Sequence, residues 1–263
     1  MSGLGHWLRS LVRGEDEGAH VSASPDSAET GSVDAAVVDA VPQDAGVPRA
    51  NGCGAFRVGY VTDRGVSRDH NEDAVLVFTG QVVAAPSSPD FGLFIVSDGM
   101  GGHRKGEAAS SLAVRTVASQ LITQVYVSLL AGDDRRANQP ALSDIVRDVV
   151  VQANHAVNRK LAGSGCTLTC GMVLGERLFI GHVGDSRAYL WRAGGGLEQL
   201  TRDHSFVKRL IEVGQLTEED AASHPRRNVL YRAVGQPEEL EVDVVTRSLK
   251  RGERLLLCSD GLW

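Results

Sequence analysis

At 263 residues and 42% hydrophobic composition, the chain is long enough for one large domain or two small ones. Its formal charge of −6 divides unevenly: −5 falls on residues 1 to 52, with 3 Lys/Arg against 8 Asp/Glu, and −1 on the remainder, with 24 against 25. No part has the basic excess of a nucleic-acid binder, and no apolar run reaches the roughly 18 residues that a membrane-spanning helix requires. The four cysteines, Cys53, Cys166, Cys170 and Cys258, form no Cys-x-x-Cys pair and mostly lie in apolar surroundings. Neither a zinc nor a disulfide framework is expected, and with no signal-peptide pattern at the N-terminus the reading is cytoplasmic.

Residues 1 to 13 place Leu4, Trp7, Leu8, Leu11 and Val12 at helical spacing, which fits either a short amphipathic helix or an incidental tail. Residues 14 to 51 are rich in Ala, Asp, Ser, Val and Pro without a sustained period, so 1–51 reads as a disordered acidic segment. The globular domain, residues 52–263, opens with an alternating run at Phe56 to Val61, predicted as a strand. A charge-dense loop, Thr62 to Asp73, separates it from the apolar run Ala74 to Phe78.

Leu93 to Val96 is a short apolar run that ends in Ser97-Asp98-Gly99-Met100-Gly101-Gly102-His103. A buried strand here delivers a carboxylate at its end, followed by a turn whose glycines let the backbone approach an ion or a phosphate. The same design recurs at Leu255 to Gly261, where Ser259-Asp260-Gly261 follows an apolar strand. Between the two, Glu107 to Leu130 and Ala141 to Leu161 carry helical periodicity. Thr167 to Leu174, Arg177 to Val183 and Arg187 to Trp191 read as an antiparallel meander, with Gly184-Asp185-Ser186-Arg187 as a turn that holds it. Short helices are predicted at Ser205 to Gly214 and Glu218 to Ser223, and strands at Glu241 to Arg247 and Arg254 to Cys258. Runs of strands with helices grouped between them point to layered antiparallel sheets covered by helices.

Asp73, Asp98 and Asp260, with Glu72 beside the first, offer carboxylates from three separated places, and no His or Cys cluster accompanies them. Oxygen-only ligation selects hard ions such as Mg²⁺ or Mn²⁺. Arg68 lies five residues before Asp73 on one loop, and its guanidinium fork matches phosphate oxygens. Each acid alone is more simply a turn residue or helix cap, and Arg68 alone a solvated charge; together they describe a phosphoryl-hydrolysing site.

Five segments, Arg68-x-x-Asn71-Glu72-Asp73, Ser97 to His103, Val183 to Tyr189, Thr201-x-Asp203-His204-Ser205 and Cys258 to Trp263, resemble in order the motifs of the bacterial type-2C metal-dependent serine/threonine protein phosphatases. The resemblance implies an α+β fold, a four-layer α-β-β-α sandwich of two central antiparallel sheets flanked by helices, with two Mn²⁺ or Mg²⁺ ions in the cleft. By position it makes Asp73 the bridging ligand, Asp98 and the Gly99 carbonyl ligands of one ion, and Asp260 a ligand of the other. Glu72 would hold a metal-bound water, and Arg68 would clamp the phosphate. His103 would be either the acid that protonates the leaving oxygen or a cap on the following helix.

The resemblance also implies phosphorylated protein substrates shared with a Ser/Thr kinase, and a monomer is expected. Residues 205 to 235 resemble the family's mobile flap, where Arg226 and Arg227 either touch substrate or form a solvated basic turn. Two departures are visible. The Asp that precedes Gly-Thr-Thr in many bacterial relatives and holds a third ion has no counterpart, since residues 149 to 175 contain no acid. The family also continues past Ser-Asp-Gly-Leu-Trp to another Asp ligand, so the catalytic domain is expected to be incomplete at its C-terminus. These departures keep a second reading open: a catalytically weak, phosphoprotein-binding or regulatory domain.

Overall fold

The computed structural model describes residues 56–66, 69–81, 89–101, 104–132, 140–192, 194–237 and 239–263. The acidic segment 1–51 lies outside them. The elements run β1 (Asp73–Gly80), β2 (Phe91–Met100), α1 (Arg104–Leu121), α2 (Leu142–Lys160), β3 (Gly165–Cys166), β4 (Leu168–Leu174), β5 (Arg177–Val183), β6 (Arg187–Arg192), β7 (Gly196–Gln199), α3 (Phe206–Glu212), α4 (Glu218–Ser223), β8 (Asp243–Ser248) and β9 (Arg254–Cys258). A π-helical stretch, Ile122–Val127, and one further α-turn extend α1 to Leu130.

The described residues form two antiparallel sheets. The larger has the order β1-β2-β4-β5-β8, with β3 pairing the end of β2, and the smaller has the order β7-β6-β9. The central strands of the large sheet read as continuous apolar runs because both of their faces are covered. In β2, Phe91, Leu93 and Ile95 join the helix-side core while Phe94 packs against the second one; in β5, Phe179 and Val183 face the helices and Leu178 and Ile180 the small sheet. Ala109, Ala113, Val117 and Leu121 form an i, i+4 stripe along α1, all fully buried, and Val146, Val149, Val150, Ala153 and Val157 do the same on α2. Each buried Val contributes about 1.5–3 kcal/mol. The expected α+β sandwich of two antiparallel sheets and helices is therefore what the chain forms. Among the described residues the helices cover the large sheet, and none makes extended contact with the small one.

Two expectations change, and two short strands have no signal to be read from. The predicted meander is a hairpin, β4–β5, after which the chain leaves the sheet and β6 pairs with β7 and β9 instead. Gly184 turns it out with φ +108°, and a Cβ there would lie 2.7 Å from the Thr167 side chain. Strands β3 and β7 are too short for a periodic signal, at 2 and 4 residues. Phe56 to Val61 is not a strand: it has no ladder partner among the described residues, and only Phe56 is anchored, edge-on to Phe94 at 6.1 Å.

Candidate active site

The register of β1 on β2 sets Asp73 directly opposite Asp98, and cross-strand partners project from one face. The Asp73 amide donates to Asn71 Oδ1 at 3.0 Å, which fixes the entry to the strand. The carbonyl of Glu72 accepts from the Gly99 amide at 3.2 Å and from Ser110 Oγ of α1 at 2.6 Å, so Glu72, 9% exposed, is pinned between strand and helix. His70 Nε2 stands 3.5 Å from its Oε1. The glycine after Asp98 is required by this approach: a Cβ on Gly99 would lie 2.2 Å from the Gly106 carbonyl oxygen and 2.7 Å from that of Glu72.

Thr167 grips the same strand end from the other side. Its Oγ1 accepts from the Asp98 amide at 2.8 Å and meets Ser186 Oγ at 2.7 Å, and its carbonyl accepts from Ser97 Oγ at 2.6 Å. The turn after β9 reaches back to β1, where Ser259 Oγ donates to Asp73 Oδ2 at 2.7 Å. Asp260 follows on that turn.

Glu72, Asp98, Gly99, Asp185 and Asp260 thereby line one cavity of about 220 Å³, with Thr167 below and Asn228 and Leu230 of the 205–235 segment beside it. Asp185 is only 8% exposed; burial, then the nearby charges of Asp260 and Asp203, push its carboxyl up to about 6. Among the described residues no three acids, histidines or cysteines close on a single point, so these groups wall a cavity rather than a finished cage. The side-chain donors are nevertheless those hard divalent ions select: carboxylates, crowded enough that burial and like charge raise Asp185.

The structure brings Glu72, Asp98, Gly99 and Asp260 to this cavity and ties Asp73 to it through Ser259. Arg68 and His103 lie outside the described residues. The turn at Gly184 to Arg187 does more than hold strands: it carries Asp185 to the cavity, while Arg187 grips Asp203 with Nε and Nη2 at 3.0 and 2.6 Å. Thr201 Oγ1 accepts from the Ala188 amide at 3.0 Å, and His204 Nδ1 from the Gly184 amide at 3.1 Å, so the third and fourth motifs zip together. Arg226 stacks over the Phe206 ring, 4.2 Å from its centroid. A buried pair sits beneath this zipper, His182 and His204, with ring centroids 4.9 Å apart.

A two-sheet sandwich that gathers carboxylates from four separate segments of the chain around one cavity is the architecture of a metal-dependent hydrolase. Residues 68–263 match the protein phosphatase 2C family. The serine/threonine phosphatase stp of Listeria innocua is 38% identical over 203 residues, 77% of this chain and 76% of that protein. The crystal structure of the Mycobacterium tuberculosis serine/threonine phosphatase PstP/Ppp superposes with a TM-score of 0.59 at 36% identity, over 76% of either chain. A PstP catalytic domain in complex with two manganese ions superposes with a TM-score of 0.57 at 34% identity, over 76% of this chain and 75% of that one. The chain belongs to the protein phosphatase 2C family of serine/threonine phosphatases.

Proposed function

We propose that this chain hydrolyses phosphoserine and phosphothreonine in proteins at two Mn²⁺ or Mg²⁺ ions held by Asp73, Asp98, the Gly99 carbonyl and Asp260, and so reverses the action of a Ser/Thr kinase. The observation that carries it is the convergence of Asp98, Gly99, Asp185 and Asp260 on one cavity, with Ser259 fastening Asp73 to the same place. The chemistry supplied there when ions are bound is generation of a strong nucleophile from water and neutralisation of phosphate charge. The protein holds the donors at fixed spacing: Thr167 and Glu72 clamp the Asp98–Gly99 backbone, and Ser259 orients Asp73. Arg68 binds the phosphate through its guanidinium fork, and His103 delivers a proton to the leaving oxygen. The phosphatase names of the relatives support catalysis over a purely binding domain. The protein works as a monomer in the cytoplasm.

The test is hydrolysis of a phosphothreonine peptide with and without Mn²⁺. Turnover should need the ion, vanish in EDTA and fall at least ~100-fold in Asp98→Ala, since a ligand is removed. Arg68→Ala should raise KM and lower kcat while calorimetric Mn²⁺ affinity stays as in the parent protein. Undiminished turnover in chelator would overturn the two-ion site, and loss of Mn²⁺ binding in Arg68→Ala would overturn the clamp.

A further inference from the structure

A second cavity, of about 590 Å³, adjoins the carboxylate-lined one, and the two share the wall Met100–Gly101. Their chemistry differs. Among the described residues the first presents four acids, whereas none that line the second carries a charge; its described walls are mostly glycine, alanine, valine and proline. Its volume falls within the roughly 300–1,000 Å³ of pockets built to receive a ligand group.

The second cavity is also held rigidly. Cys166 and Val234 exchange both backbone hydrogen bonds at 2.9 Å, which ties the floor to β3. Gly235, with φ +103°, passes so close that a Cβ would lie 2.5 Å from the Ser164 carbonyl oxygen. Asn154, 1% exposed, accepts from the Gly235 amide at 2.6 Å and donates to the Gln236 carbonyl at 3.1 Å, and Asn158 donates to that same carbonyl. Through β3, which pairs Cys166 with Gly99 and Gly165 with Met100, this floor continues into the proposed metal-binding strand.

Resting on the phosphatase reading above, we propose that this cavity is a substrate subsite for an uncharged apolar side chain next to the phosphorylated residue. The ordering of the two cavities carries it: a phosphate placed among the acids leaves the neighbouring peptide against Met100–Gly101, beyond which the surface is concave and, among the described residues, uncharged. A Leu-sized side chain there gains about 25 cal/mol per Å² of apolar surface removed from water. A Lys or Glu side chain there is desolvated with no opposite charge to meet among the described lining residues.

The experiment scans a phosphothreonine peptide, placing Leu, Gly, Lys or Glu at each flanking position in turn, with p-nitrophenyl phosphate as a substrate without flanking residues. One position should show kcat/KM for Leu ~10-fold or more above Lys and Glu. Ala162→Trp, which narrows the cavity from its exposed wall, should bring the Leu-to-Gly ratio at that position close to unity. Gln236→Glu should invert the order in favour of Lys. No preference at any position, or a Leu preference that survives both substitutions, overturns the subsite. Absence of Mn²⁺-dependent p-nitrophenyl phosphate hydrolysis by the unsubstituted protein overturns the phosphatase reading itself, which separates the two failures.

Discussion

The amide of Asp98 donates to Thr167 Oγ1 at 2.8 Å, and the amide of Thr167 donates to the Asp98 carbonyl at the same 2.8 Å. This reciprocal pair fixes the backbone from which the Asp98 carboxylate and the Gly99 carbonyl emerge. Thr167→Val keeps the shape and removes the hydroxyl, which leaves the Asp98 amide and Ser186 Oγ each short of a partner. The expected cost is about 1–3 kcal/mol in unfolding free energy and a loss of ~10-fold or more in Mn²⁺ affinity. Thr167→Ser should restore both. Denaturant unfolding and calorimetric titration read them, and an unaltered Mn²⁺ affinity in Thr167→Val would show that Asp98 is held without this contact.

Gly99→Ala tests the close approach of β2 and α1. Its Cβ would meet backbone, the Gly106 carbonyl at 2.2 Å, and backbone cannot swing aside as a long side chain can. A destabilisation of about 3 kcal/mol or more is expected, with loss of Mn²⁺ binding in whatever fraction remains folded. A thermal midpoint equal to that of the parent protein would contradict the geometry.

Asp185→Asn should act in opposite directions with and without metal. In EDTA, removing a buried carboxylate beside Asp260 and Asp203 relieves desolvation and like-charge repulsion, so the thermal midpoint should rise. In saturating Mn²⁺ the same substitution removes a hard donor from the cavity wall, and the stabilisation by metal should shrink. Thermal scans in the two buffers decide; a midpoint that falls in both would make Asp185 a structural carboxylate.

His182 sets an acid limit on the fold. Its Nε2 donates to the Arg202 carbonyl at 3.0 Å, its Nδ1 faces Thr169 Oγ1 at 2.9 Å, and burial, followed by the charge of neighbouring His204, pushes it down to about 3. The unfolded chain therefore takes up a proton near the ordinary histidine value that the folded chain refuses. Stability is complete above that value and falls as pH drops toward about 3, at most by ~1.4 kcal/mol per pH unit. Denaturant midpoints across this window should decline in the parent protein and decline less steeply in His182→Asn. Equal slopes would place the acid sensitivity elsewhere.

The parts of this molecule that were legible in its sequence are those with a local signature. Strand β2 carries Asp98 and Gly99 in its last three residues because an apolar run and a glycine-rich stretch adjoin in the chain, and the stripes of α1 and α2 repeat at helical spacing. What escaped depends on non-local geometry. A hairpin turn and an exit from the sheet both use a glycine with positive φ, so Gly175 after β4 and Gly184 after β5 look alike in sequence, yet only the second sends its strand to the other sheet and Asp185 to the cavity. Thr167 and Ser259 were hidden for the same reason, since their partners lie 69 and 186 residues away. Phe56 to Val61 alternates as a strand does, but alternation cannot supply a neighbouring edge.

The hydrogen bond from Ser259 to Asp73 spans 186 residues, and that distance is also a delay. On a ribosome adding ~5–20 residues per second, Asp260 is made roughly 10 to 40 seconds after Asp73. A nascent chain that has already emitted β1, β2 and α1 carries Asp73 and Asp98 but nothing to bring the opposite wall of the cavity to them. The two walls of the cavity thus stay apart until synthesis has passed the Ser259–Asp260 turn, and a chain that stops earlier holds Asp73 and Asp98 without the wall that carries Asp260.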